Sequence, residues 1–195
     1  MKKYFLFLLA LLFILSGCVV FSLEPFFTKS NKIMTPENII GEWIPVTLEG
    51  NDVSGQDINL WKFRNDKVIS YDKKNIAGEI NITFFKVNDQ LFCDTQAESP
   101  DNEKLNQYWL YHLYPFHSLC KVSYQNDTLT FLPLNYEWIK GNVKEGKIKV
   151  PFVEWKSEDT ILFTATSEQW ESFIKEYSDD QEAFSEEFTF VFRKK

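Results

Sequence analysis

Glycine and proline are scarce, seven of each in 195 residues, so the chain has neither a collagen-like repeat nor the composition of a disordered segment. Cations are outnumbered too, 21 Lys and Arg against 28 Asp and Glu for a net charge of -7. Neutralising phosphates needs an excess of cations, and no basic stripe reverses the balance, so nucleic acid is not an expected partner. Histidine occurs only as His112 and His117, in neither an HExxH pattern nor a close Cys/His cluster. Their separation of five along an extended chain sets the rings on opposite faces unless Pro115 breaks the strand. There is no Gly-x-Ser-x-Gly elbow, phosphate loop, dinucleotide fingerprint or EF-hand pattern. No catalytic residue, metal ligand or cofactor is therefore expected, and enzymatic activity is disfavoured.

What the sequence does have begins at its N-terminus. Tyr4 to Leu15 is an almost pure Phe/Leu/Ile run, shorter than the about 20 residues of a membrane-spanning helix. The basic start Met1-Lys2-Lys3 precedes it and Leu15-Ser16-Gly17-Cys18 closes it, the order of a bacterial export signal. Those last four residues resemble a lipobox. The resemblance implies that residues 1–17 are a signal peptide, that the Cys18 thiol becomes a diacylglycerol thioether, and that its new amine is often acylated as well. Each buried methylene contributes about 0.8 kcal/mol and two or more chains hold stably, so a modified Cys18 is a lasting membrane anchor. The alternatives are a secreted protein cut elsewhere or an uncleaved helical anchor. Val19 stands where an Asp commonly retains lipoproteins in the inner membrane. A host with two membranes would then carry the protein on its outer membrane facing the periplasm, and a host with one on the extracellular face of the cell membrane.

Cleavage leaves 178 residues with a balance of -9, because Lys2 and Lys3 are lost. Anionic headgroups repel such a domain, so attachment must come from lipid. Residues 18–35 form a lipidated N-terminus and tether, on the order of 55 Å from Val19 to Thr35 if drawn straight at about 3.3 Å per residue. Leu23, Phe26 and Phe27 are too apolar for a freely solvated linker, and part of it is expected to pack on the domain over residues 36–195.

That domain alternates like a mostly β antiparallel structure, a sandwich, a barrel or a strongly curved sheet with a C-terminal helix packed on it. Thr35-Pro36-Glu37 predicts one short helical turn over Pro36 to Ile40, ended by Gly41. Strands are predicted over Glu42–Leu48, Asn59–Phe63, Lys67–Asp72, Glu79–Val87, Gln90–Thr95, Gln107–Tyr114, Leu119–Tyr124, Thr128–Leu132, Thr160–Thr164 and Glu187–Arg193. Asn65-Asp66, Asn88-Asp89 and Asn126-Asp127 are two-residue polar steps whose residues tolerate the positive φ of tight hairpins. Helices are predicted over Asn135 to Glu145, with Tyr136, Ile139, Lys140 and Val143 on one face, and over Ser167 to Tyr177. In the second, Thr166 and Gln169 form a capping-box pair, and Trp170, Phe173, Ile174 and Tyr177 make an apolar stripe to lie on the sheet.

A turn, then Gly41-Glu42-Trp43 opening the first strand, then antiparallel strands, a late helix and a last strand resemble a lipocalin-like barrel. The resemblance implies that Trp43 plugs the closed end and that a basic residue of the last strand, here Arg193, covers it. Over nearly the whole mature chain the sequence is also similar to a group of uncharacterised bacterial lipoproteins. Cys18 with Ser22-Leu23-Glu24-Pro25-Phe26-Phe27-Thr28, Ile40-Gly41-Glu42-Trp43, His112-Leu113-Tyr114-Pro115-Phe116-His117, and Thr128 to Leu134 with Trp138 carry that similarity. So do Thr164-Ala165-Thr166-Ser167 and Asp179 to Phe184. It implies localisation and fold and no activity.

Two further expectations concern the interior. If Gln90–Thr95 pairs with Gln107–Tyr114, Cys93 faces residues near Trp109 to Tyr111 and Cys120 lies roughly 30 Å further along, beyond the about 7 Å that a disulfide tolerates. Free thiols are expected unless another strand pairs there. Outside the signal 16 Phe and 6 Trp remain, and Tyr108-Trp109-Leu110-Tyr111 puts rings on both faces of one strand. Such side chains either fill an eight-stranded barrel or are covered by helices on the second face, or the barrel holds one apolar ligand. Two functions follow: a lipid-anchored envelope protein binding an apolar small molecule such as an acyl chain, or an envelope accessory module with a filled barrel that docks another protein.

Overall fold

Apolar-rich strands, some joined by polar two-residue turns, wind the chain into a barrel with one late excursion. The computed structural model describes residues 19–51, 58–72, 75–98, 115–155, 160–185 and 189–195. Strands β1 (Gly41–Val46), β2 (Ile58–Phe63), β3 (Lys67–Asp72), β4 (Asn75–Val87), β5 (Gln90–Ala97), β6 (His117–Gln125) and β7 (Thr128–Pro133) each pair antiparallel with the next. The chain then leaves the barrel for α1 (Tyr136–Lys144), a hairpin of β8 (Phe152–Trp155) and β9 (Thr160–Phe163), and α2 (Ser167–Tyr177). Strand β10 (Phe190–Lys194) returns between β7 and β1 and closes the cylinder. The fold is mostly β, a lipocalin-like antiparallel barrel with a helix packed on it.

Local chemistry sets these elements. Asn88, Asp89, Asn126 and Asp127 take φ of 50°, 60°, 49° and 58°, the left-handed values of two-residue hairpins. Asn65-Asp66 does not: Asn65 O accepts the Thr35 hydroxyl and Asp66 O the Ile82 N–H, so tertiary partners hold that turn. Thr35 is thereby diverted from capping, and Pro36 to Ile40 is a single turn closed by Ile39 N–H to Pro36 O at 2.9 Å. Strand β4 starts four residues earlier than predicted because a bulge absorbs Ala77 and Gly78, where Ser70 Oγ donates to Gly78 O at 3.2 Å. Both helices and the Thr166/Gln169 capping box form as predicted. Strand β8, four residues after Pro151, escaped prediction because so short a run carries no periodicity. The strand expected over residues 107–114 lies outside the described residues.

Alternation divides the apolar residues between two cores. Trp43, Phe63, Phe84, Leu129, Phe131 and Phe192 fill the inside of the barrel. Phe85, Phe92 and Leu119 point outward into a second core made with Ile139 of α1, Phe163 of β9, and Trp170, Phe173 and Ile174 of α2. At the closed end Trp43 is fully buried, donates from Nε1 to Ile39 O at 2.8 Å, and meets Phe63 and Tyr124 edge-on. The cation over it is Lys194, with Nζ 5.6 Å from the ring, not Arg193. Register explains the difference: Lys194 stands opposite Trp43 and shares its face, whereas Arg193 stands opposite Ile44 on the outer face.

Candidate functional site

The two barrel ends are built differently. Strands β2, β4, β6 and β10 run toward the Trp43 end, so the other end is framed by the close of β1, β3, β5 and β7 and the start of β4, β6 and β10. There the inward side chains on adjacent strands are small: Thr95 and Cys93 on β5 stand opposite Ser118 and Cys120 on β6, and Pro133 ends β7. They leave a cavity of about 300 Å³, near the lower bound for ligand sites. Its floor is a ring cluster, Phe63 stacked on Phe131 at 5.7 Å with Phe192 edge-on to both, and Trp61 packs on Phe192 at 5.4 Å. Val68, Ile80 and Phe190 complete a wall that is almost wholly apolar. Two larger depressions, about 450 Å³ beside α2 and about 600 Å³ below Met34, have Lys and Glu or Asp in their walls and suit water rather than an apolar group.

Val19 and Val20 belong to the cavity wall. They open a strap that is bound to the barrel rather than slack. Ser22 exchanges backbone hydrogen bonds with His117 of β6 at 3.0 Å both ways, while Leu23 N–H and Phe21 O bond Phe163 of β9. The strap is thus a short extra strand wedged between barrel and hairpin. Further on, Phe26 is fully buried against Trp170, with ring centroids 4.5 Å apart, and Ile33 N–H donates to Phe84 O at 2.9 Å. Trp170 Nε1 donates to Ser22 Oγ at 2.9 Å.

A buried carboxylate latches this strap. Asp94, on the outer face of β5, is 3% exposed; its Oδ2 accepts the Phe26 N–H at 2.9 Å and its Oδ1 lies 2.7 Å from His117 Nδ1. His117 Nε2 in turn lies 3.0 Å from the Gln96 amide. Burial pushes the Asp94 carboxyl above its ordinary range, and the His117 ring and the Phe26 N–H only partly offset it. Nearby, Ser22 Oγ donates to Glu24 O at 2.8 Å. Among the described residues no three His, Cys, Asp or Glu side chains converge on one point.

Cys18, the expected lipidation site, and His112 lie outside the described residues, and so do Trp109 and its neighbours. Cys93 and Cys120 come together against expectation. They are direct cross-strand partners because β5 pairs with residues 117–122 and not with 107–114. Asp94 was missed because a lone acid at the end of an apolar run looks like a solvated position; the signal was its place directly after Leu91-Phe92-Cys93, a run that is apolar on both faces of the strand.

Comparison of the chain with protein-family models, with curated proteins and with solved structures finds no match. Function is therefore argued from the site alone.

Proposed function

We propose that this is a lipid-anchored protein of the cell envelope whose barrel receives an apolar group, such as an acyl chain, through a mouth held at the membrane. The observation that carries it is the apolar cavity whose wall includes Val19 and Val20, the first two residues after Cys18. A consecutive Cα lies about 3.8 Å away, and Val20 is already fixed in the protein with 2% exposure. Lipid on Cys18 would hold the mouth against the bilayer with almost no leash. The fringe suits such a surface. Leu48 beyond β1, Ile76 near the start of β4, Phe190 at the start of β10, and Val19 and Phe21 of the strap are large apolar residues left 40–62% exposed. The anchor in this proposal is the lipid on Cys18.

The alternative is an envelope accessory module that docks a protein. It is favoured by the filled half of the barrel, and it differs in leaving the cavity empty. Labelling cells with a clickable palmitate analogue tests the anchor: the wild type takes the tag and Cys18→Ser does not, whereas no tag on the wild type overturns it. Native mass spectrometry of the full chain released from detergent tests the cavity. Co-purifying lipid, lost in Ser118→Trp, is the expected result; bare polypeptide retires the ligand and leaves the accessory role.

A further inference from the structure

We propose that Cys93 and Cys120 are a redox-active pair that closes into a cross-strand disulfide inside the barrel. The two residues face each other in the β5–β6 ladder. Directly opposed antiparallel residues have Cα atoms about 4.5 to 5.5 Å apart, within the about 4.4 to 6.8 Å that a disulfide spans. Opposed residues share a face, so both thiols point inward, and both are free. Bridging needs rotation of two side chains and no movement of the strands.

The two thiols are not equivalent. Cys120 is part-exposed and lines the apolar cavity. Cys93 is fully buried beneath it, and burial raises its thiol well above the ordinary range. Cys120 is therefore the attacking group and Cys93 the resolving one. The oxidant is an external disulfide, RSSR, reaching in through the mouth. The Cys120 thiolate attacks one sulfur, forms a mixed disulfide and expels RS⁻. Cys93 then gives up its proton and attacks Cys120 Sγ, expelling the second RS⁻, so that two thiols and RSSR become one protein disulfide and two RSH. Small apolar disulfides and the Cys-containing surface of an envelope oxidoreductase are the two possible sources.

Formation in the cell rests on the exported location proposed above, since exported proteins meet such oxidants; the competence of the pair does not. The full chain, purified under reducing conditions, is treated with diethyl disulfide, alkylated after denaturation with N-ethylmaleimide, and weighed intact and as peptides. The expected product is a linked Cys93–Cys120 peptide with neither thiol alkylated. Cys93→Ser should stall as an ethylthio adduct on Cys120, while Cys120→Ser should stay unmodified at Cys93. Two alkylated thiols in the treated wild type, or a stable ethylthio adduct that Cys93 never resolves, overturns the proposal. The same peptide map on cells quenched in acid and alkylated at once gives the second arm. A linked peptide supports oxidation in the envelope; separate thiols there, with linkage in the tube, overturn the exported location and leave the chemistry of the pair standing.

Discussion

Replacing Asp94 by alanine strips the strap of its latch. The substitution leaves the Phe26 N–H without an acceptor in a buried position, which costs about 1 to 3 kcal/mol, and it takes away the group 2.7 Å from His117 Nδ1. Breaking a buried charged contact by removing one partner costs about 3 to 5 kcal/mol, and with His117 still part-exposed we expect about 3 kcal/mol for Asp94→Ala. Asp94→Asn keeps an acceptor for Phe26 and should cost about 1 kcal/mol. Urea unfolding followed by tryptophan fluorescence measures both, since Trp170 packs on Phe26 and reports the strap directly. A loss below about 1 kcal/mol for Asp94→Ala would show that the strap is held by its apolar contacts alone.

The pH dependence of the same pair of proteins is a sharper measurement. Burial raises the Asp94 carboxyl in the folded state, so between its ordinary value and the raised one the native chain binds more protons than the unfolded chain. Stability then falls as pH rises through that window and is level above it. Wild type should therefore gain on Asp94→Asn as pH drops from about 5.5 to 3.5, below the ordinary imidazole range. If wild type instead loses ground on acidification, the ion pair with His117 outweighs desolvation and the assigned direction is wrong.

Three other outcomes are expected. Ser118→Trp places a ring in the cavity opposite Thr95; it should abolish co-purifying lipid and leave the far-ultraviolet circular dichroism of the barrel unchanged. Lys194→Met removes the cation over Trp43; Lys194 is exposed, so the loss in urea unfolding should be about 0.5 to 1 kcal/mol, with Lys194→Arg close to wild type. Oxidising Cys93 and Cys120 closes a loop of 28 residues, for which the chain-entropy relation gives about 3.6 kcal/mol; the oxidised chain should unfold at correspondingly higher urea than the reduced one.

Much of the barrel is legible in the sequence because its signals are local. Period-two alternation marks Thr128–Pro133, Asn-Asp pairs mark the tight turns after Val87 and Gln125, and Thr166 with Gln169 starts the second helix. What is not local was misjudged. Which strand follows β5 in the ladder depends on how 19 residues between Ala97 and His117 connect them, and a wrong partner there sent Cys120 about 30 Å from Cys93. The choice between Lys194 and Arg193 as cover for Trp43 turned on a single residue of register, and one step of slip exchanges the faces of a strand. The Asp94–His117 latch joins β5, β6 and the strap, three segments spread over 92 residues from Phe26 to His117, and no spacing rule reaches across such a distance.

Composition leaves the interior open for a related reason. Sixteen Phe and six Trp after the signal look sufficient to fill an eight-stranded barrel, yet the hairpin and both helices create a second core outside it. Phe26, Phe85, Phe92, Phe163, Phe173 and Trp170 are all consumed there. Inside, the rings of Trp43, Phe63, Phe131 and Phe192 close one half, while the facing pairs Thr95 with Ser118 and Cys93 with Cys120 are too small to close the other. A void whose wall is apolar but for the Thr95 and Ser118 hydroxyls offers water few hydrogen-bond partners and favours apolar matter. That such a void sits beside Val19, and not at the Trp43 end, is what joins the proposed anchor to the proposed ligand: one acylated residue would both moor the protein and bring the cavity to its supply of acyl chains.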